Sequence, residues 1–329
     1  IKMTIIYKYQ SLINYITNCK DKNILSFLSQ NPNAIHFLKQ NPDKIDWKYL
    51  SKNTDTCAIR LLEHNIDKIN WSLLSRNPNA IHLLEKNINN INWVYLSSNP
   101  NAIHLLEQNL DKIDWRMLSI NPNAIHLLEQ NPDKIDWYLL SGNPNAIHLL
   151  EKHIDKINWS YLSANPNAIK LLEGNINTIN WSYIAENPNA IELLEHNMDK
   201  IDWFWLSSNP NAIHLLEQHM DKINWEFLSN NPNAIQLLEN NMDKIDWEWL
   251  SSNTNAIHLL DKNLDKIYWE CVPENTNLFE LDYLAMSKEK NKIIEYELMI
   301  KALHPSRVSK WLDYHIENGG TTWNFEYIT

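Results

Sequence analysis

The chain has 329 residues, 44% of them hydrophobic, with 15 Trp and a formal net charge of -11. This is too apolar for a disordered chain, offers no run of ~18 apolar residues to span a membrane, and has the wrong sign for a groove that tracks phosphates. Cys19, Cys57 and Cys271 lack metal-type spacing, which argues against a disulfide scaffold and suits a reducing compartment.

The negative charge lies between residues 26 and 284, because residues 1–25 are net basic and the charges of residues 285–329 balance. The opening, IKMTIIYKYQ, has no uninterrupted apolar core followed by small residues, so secretion by a signal peptide is not expected. Residues 4–29 are apolar enough for a helical cap, and we place an N-terminal cap over residues 1–25.

From residue 26 a 22-residue unit takes over, clearest in Asn99–Ile120 (NPNAIHLLEQNLDKIDWRMLSI). Trp47 precedes Trp71 by 24 residues, and from there Trp recurs every 22 residues to Trp269, giving eleven copies. A chain built this way buries each unit only against its neighbours, so the expected fold is an all-α solenoid of two-helix repeats over residues 26–284.

Within the unit, Asn99 and Pro100 read as an N-cap and first helical position. Ala102, Ile103, Leu105 and Leu106 then share one side at 100° per residue, with His104 opposite. The first helix is expected to stop near Asn109 in a left-handed C′ conformation, with Leu110 folding back onto it. Asp114 caps a second, short helix opened by Trp115, with Ile113 and Leu118 as a hydrophobic staple. Across the copies that cap alternates between Asp and Asn, which share a capping oxygen and not a charge. Asp-Lys pairs such as Asp111-Lys112 appear or vanish together (Asn89-Asn90, Asn177-Thr178) and read as local charge balance worth at most ~1 kcal/mol.

Trp93, Trp115, Trp137, Trp159, Trp181, Trp203, Trp225 and Trp247, with the Ile and paired-Leu columns, are expected to form a continuous core. Eleven units at ~8–10 Å each would make a rod or arc of about 90–110 Å. Asn275–Leu284 is a degraded copy without Trp. Residues 285–329 then read as a C-terminal helical cap, with helices over 287–303 and 306–317 separated by His304-Pro305 and stopped by Gly319-Gly320.

No enzyme chemistry stands out. Only four glycines occur, so no phosphate-cradling loop exists, and no nucleophile or carboxylate pair breaks the repeat pattern. Neither a metal nor a cofactor is expected. His36, His82, His104, His126, His148, His214 and His258 share one helix position, but equivalent positions lie a helix spacing apart and Arg60, Lys170, Glu192 and Gln236 also occupy it. Recognition is better sought where columns vary. His104, His126 and His148 on the first helix, with Tyr138 and Phe204 just after their Trp, are the candidate partner-binding residues.

The unit N-P-N-A-I-x-L-L-E-x-N-x-D-K-I-D/N-W-x-x-L-S, spanning residues 26–284, resembles tandem repeats of giant nucleocytoplasmic DNA viruses. The tail from Ala302 to Leu312 is similar to C-terminal segments in proteins of such viruses, and L-S-x-N-P more distantly resembles the leucine-rich-repeat variant, which pairs an α-helix with a 3₁₀ helix. The resemblance implies a viral α-solenoid with no catalytic residues to carry over, whose second helix is α or 3₁₀. The expected function is a protein-protein scaffold or adaptor, or alternatively a structural component bridging capsid or core proteins, with a host or viral protein, further copies of the chain or capsid proteins as partners rather than nucleic acid. The expected location is the host cytoplasm, the viral factory or the virion.

Overall fold

The computed structural model describes residues 6–304 and 307–310. Among the described residues every regular element is an α-helix or a 3₁₀ helix, apart from one antiparallel bridge between Tyr7 and Leu281. The described residues divide into two compact units, residues 9–279 and a smaller one that joins residues 6–8 to the described residues from 280 onward.

The larger unit is an all-α solenoid with three elements per repeat. In the repeat that carries Trp115 these are a first helix, Ile103–Glu107, a 3₁₀ turn, Leu110–Lys112, and a Trp helix, Trp115–Ser119. The second helix is therefore α, and the 3₁₀ geometry belongs to the Asp-Lys turn. Asp114 caps the Trp helix as the sequence suggests, accepting the Met117 N–H at 2.8 Å.

Both ends of the first helix differ from expectation. Asn99 accepts the Asn101 N–H at 3.0 Å, and Pro100-Asn101 form a turn, so the helix begins only at Ile103. At the other end Asn109 has φ −138°, outside the left-handed region, and its side-chain amide donates to the Leu105 carbonyl at 2.9 Å. That amide satisfies one of the carbonyls a helix end leaves open. Leu110 does not fold back: it is 49% exposed.

The core runs through Ala102, Leu106 and Leu118, all fully buried, with Leu105 and Ile113 nearly so. The Trp column is half-buried rather than central. Most of these rim Trp rings are covered by the next repeat with the Lys of its Asp-Lys turn; Trp71 and Trp159 have Asn90 and Thr178 in that register. Lys134 lies 4.5 Å from the Trp115 ring centroid, and seven further Lys–Trp pairs lie between 4.4 and 5.0 Å. The Asp-Lys turn is thus a link between repeats as well as a local pair of charges.

A buried asparagine seam joins the repeats. Asn121 donates to the Ser97 and Asn99 carbonyls at 3.0 and 2.9 Å and accepts the Asn123 N–H at 3.0 Å. The bond from one seam Asn to the preceding one recurs through Asn53, Asn77, Asn99, Asn121, Asn143, Asn165, Asn187, Asn209, Asn231, Asn253 and Asn275. Asn31 then donates to the Asn275 carbonyl at 3.0 Å and to the Pro273 carbonyl at 2.8 Å. The seam is cyclic.

This unit is therefore a closed ring of twelve repeats, not an open rod or arc of eleven. The extra repeat, counted as the first so that Trp47 lies in the second and Trp269 in the twelfth, is assembled from both ends of the unit. Its turn comes from Thr276–Phe279 and its helices from Gln10–Asn18 and Lys22–Gln30, the segment expected to be an N-terminal cap. Ser29 accepts the Asp46 N–H at 2.8 Å, as Ser119 accepts that of Asp136 at 3.0 Å. Tyr15 stacks on Trp269 at 3.5 Å, where most other repeats place a Lys. Closure buries the first and last core faces against each other and removes the need for that cap.

In the smaller unit, Lys8 N–H donates to the Glu280 carbonyl and Asp282 N–H to that of Ile6, both at 2.9 Å. Its helix, Tyr283–Ala302, starts four residues before the expected position because Asp282 accepts the Ala285 N–H at 2.8 Å. The expected helix over 306–317 lies mostly outside the described residues, and Gly319-Gly320 entirely so.

Candidate functional site

The two helical layers of the ring have different spacings. Successive Trp helices pack directly on one another, as Trp225–Asn230 does on Trp247–Ser252. Successive first helices are bridged by pairs of long side chains: His82–Glu63, His104–Glu85, His126–Glu107, His148–Glu129, His214–Glu195 and His258–Glu239, with Nε2–Oε1 distances of 2.5–2.9 Å. In a closed ring the layer with the shorter spacing lies nearer the axis, so the Trp helices face inward and the first helices outward.

The candidate residues separate accordingly. His104, His126 and His148 are exposed on the outward layer, each bound to a glutamate of the preceding repeat. Among the described residues no group of three His, Cys, Asp or Glu side chains is placed to hold a metal ion. Tyr138 and Phe204 lie on the inward layer, 49% and 44% exposed.

On each Trp helix the first, second and fifth positions after the Trp share the side turned away from the core. Side chains there meet their counterparts in the next repeat. Tyr138 contacts Tyr161 at 4.2 Å between ring centroids, and Tyr161 contacts Tyr183 at 6.4 Å. Further along, Phe204 and Trp205 both touch Phe227, at 4.4 and 5.2 Å, and Phe227 stacks on Trp249 at 5.5 Å. Trp249 is 36% exposed. Tyr138 and Phe204 thus belong to two aromatic runs whose other members the sequence reading missed. The available signal was the second position after each Trp, where Tyr161, Tyr183, Trp205, Phe227 and Trp249 follow in register.

Charges flank these runs. Before them, Lys48 and Lys52 lie 5.4 and 5.6 Å from the Tyr49 ring, Arg76 lies 4.6 Å from that of Tyr95, and Arg116 is 3.8 Å from Asp136. Lys52, Leu73, Arg76, Asn77 and Pro78 border a cleft of about 270 Å³. Glu186, Glu226, Glu248 and Glu270 are exposed among and beyond the aromatic residues. The Tyr268 hydroxyl is pushed above the usual phenol range by the field of Glu270 and then Glu248. Tyr138 is raised first by its hydrogen bond with Tyr161, and Glu186 by partial burial. Exposed ring faces bordered by opposite charges suit binding: they supply contact area, cation–π attraction and orientation.

No protein-family model matches this sequence, and neither a curated protein nor a solved structure matches it.

Proposed function

We propose that this chain is a non-enzymatic scaffold that binds a segment of a partner protein along the inward face of its Trp helices. The observation that carries this reading is the aromatic strip of exposed Phe204 and Trp249 and half-buried Trp205 and Phe227, in positions where other copies of the repeat tolerate Ser, Val or Leu. Rigid aromatic rings lose little side-chain freedom on binding and are enriched among residues that dominate interface energy. The outward face supports the reading less well, because its histidines are already engaged by neighbouring glutamates.

Selection from a displayed random-peptide library tests this. The wild-type ring is expected to enrich peptides that a Phe204→Ser/Trp249→Ser variant does not, with both proteins unfolding at similar temperatures. Equal enrichment by the two proteins would exclude the strip as the binding face.

A further inference from the structure

We propose that the segment bound on this face is charge-ordered: acidic side chains at one end, an apolar or aromatic middle, and Lys or Arg side chains at the other. This rests on the reading above and specifies its ligand. The three inward positions are segregated by sign around the ring. Repeats two to five hold Lys48, Lys52, Arg76 and Arg116 there and no acid, whereas repeats eight to eleven hold Glu186, Glu226 and Glu248 and no base. Repeats six and seven between them are uncharged at those positions, with Tyr138, Leu139, Gly142, Ser160, Tyr161 and Ala164.

Arg116 lies 3.8 Å from Asp136, but local balance does not account for the acidic side of this order. Glu226, Glu248 and Glu270 occupy one column in consecutive repeats, so like charges stand about one helix spacing of ~8–10 Å apart. Repulsion among them raises the free energy of the unbound ring and is relieved when a cation arrives. The raised Tyr268 hydroxyl reports the same unbalanced field. Phe227 and Trp249 stack beside these carboxylates, so an arriving ammonium or guanidinium meets negative charge and a ring face together. The basic arc offers Lys52 and Arg76 at the edge of a cleft, a setting suited to a carboxylate. By way of the uncharged repeats, Arg116 to Glu226 spans five of the twelve repeats, at most roughly 40–50 Å along the helix axes and less on the inward face, which an extended segment of up to about 12–15 residues covers.

The test uses the full chain and three fluorescent peptides of about 16 residues: one with a Glu block, an aromatic middle and a Lys block, one of identical composition with the charges interleaved, and one with the aromatic middle alone. Fluorescence anisotropy is expected to show the blocked peptide binding at least ~10-fold more tightly than the interleaved one, with the difference shrinking as salt rises. Glu226→Lys/Glu248→Lys should remove most of that preference while leaving the uncharged peptide's affinity within about twofold. Glu226→Gln/Glu248→Gln, which adds no new charge, should lower the preference partway and covers the case in which the reversal fails to fold. Equal affinity for blocked and interleaved peptides would overturn the charge order and leave the aromatic face standing. Failure of all three to bind would overturn both.

Discussion

The outward and inward layers of the ring use the same 22-residue unit in opposite ways. On the outward layer the recurring polar residues are tied to a neighbouring repeat, as His126 is to Glu107 at 2.9 Å. On the inward layer the exposed positions meet varied neighbours and change from Lys to Tyr to Glu around the ring. Recurrence therefore marks side chains with a fixed bonding partner, in a neighbouring copy or in their own helix, while variation marks positions released from that duty. The buried seam is the extreme case. Asn stands at all twelve places because its side chain must donate to two carbonyls and accept an N–H at once, as Asn121 does.

Breaking the seam is expected to have the largest effect. Asn165 is 1% exposed, donates to the Ser141 and Asn143 carbonyls at 3.1 and 3.0 Å, and accepts the Asn167 N–H at 3.0 Å. Asn165→Leu leaves those three backbone groups without that partner, and at ~1–3 kcal/mol for each buried group the loss should reach about 3–5 kcal/mol. Phe204→Ser, on the inward face, should cost no more than about 1 kcal/mol. Denaturant titration of both variants checks the contrast, which fails if the two midpoints shift equally.

A smaller change of opposite sign tests the same principle by mending a gap. In most repeats a buried Ser links its own Trp helix to the next: Ser163 donates to the Trp159 carbonyl at 2.8 Å and accepts the Asn180 N–H at 3.0 Å. Ala185 occupies that place in the eighth repeat, fully buried and unable to do either. The cap beyond it also departs from pattern, since Asp202 accepts no N–H of its own helix and receives the Ser182 hydroxyl at 2.6 Å. Ala185→Ser should raise stability by about 0.5–1.5 kcal/mol, the usual net gain from a hydrogen bond. A lower denaturant midpoint would show that the pocket is too tight for the hydroxyl.

These gaps also show what was legible in the sequence. The solenoid, the Leu and Ala core and the Asp/Asn caps follow from periodicity and capping chemistry, which are local. Closure is not local. It depends on Asn31 meeting Asn275, 244 residues apart, and the repeat that joins them has Leu25 where a Trp is expected and a turn supplied from the other end. The seam could have been suspected from the invariance of Asn, because an N-cap alone also accepts Asp, Ser or Thr. Tyr138 and Phe204 stood out because aromatic residues replace Ser or Glu in their column, but their stacking partners belong to the next repeat and a different column.

The smallest effect decides why Asp and Lys appear together in the turns. Trp137 and Trp181 are covered by Lys156 and Lys200 at 4.8 and 5.0 Å, but the residue in register above Trp159 is Thr178, whose hydroxyl donates to the Asn175 carbonyl at 2.7 Å. If the pair exists for local charge balance, Thr178→Lys beside Asn177 adds an unbalanced charge, and only the double change with Asn177→Asp should help. If the Lys serves mainly to cover the preceding Trp, Thr178→Lys alone should add about 0.5–1 kcal/mol, reduced by the lost Thr hydrogen bond. Thr178→Met separates charge from packing, because a long apolar stem can cover part of the indole without the cation. A gain with Lys that exceeds the gain with Met, and that is already present without Asn177→Asp, makes the turn a link between repeats. Equal gains from Lys and Met would instead make the covering stem, rather than the charge, the reason the column is basic.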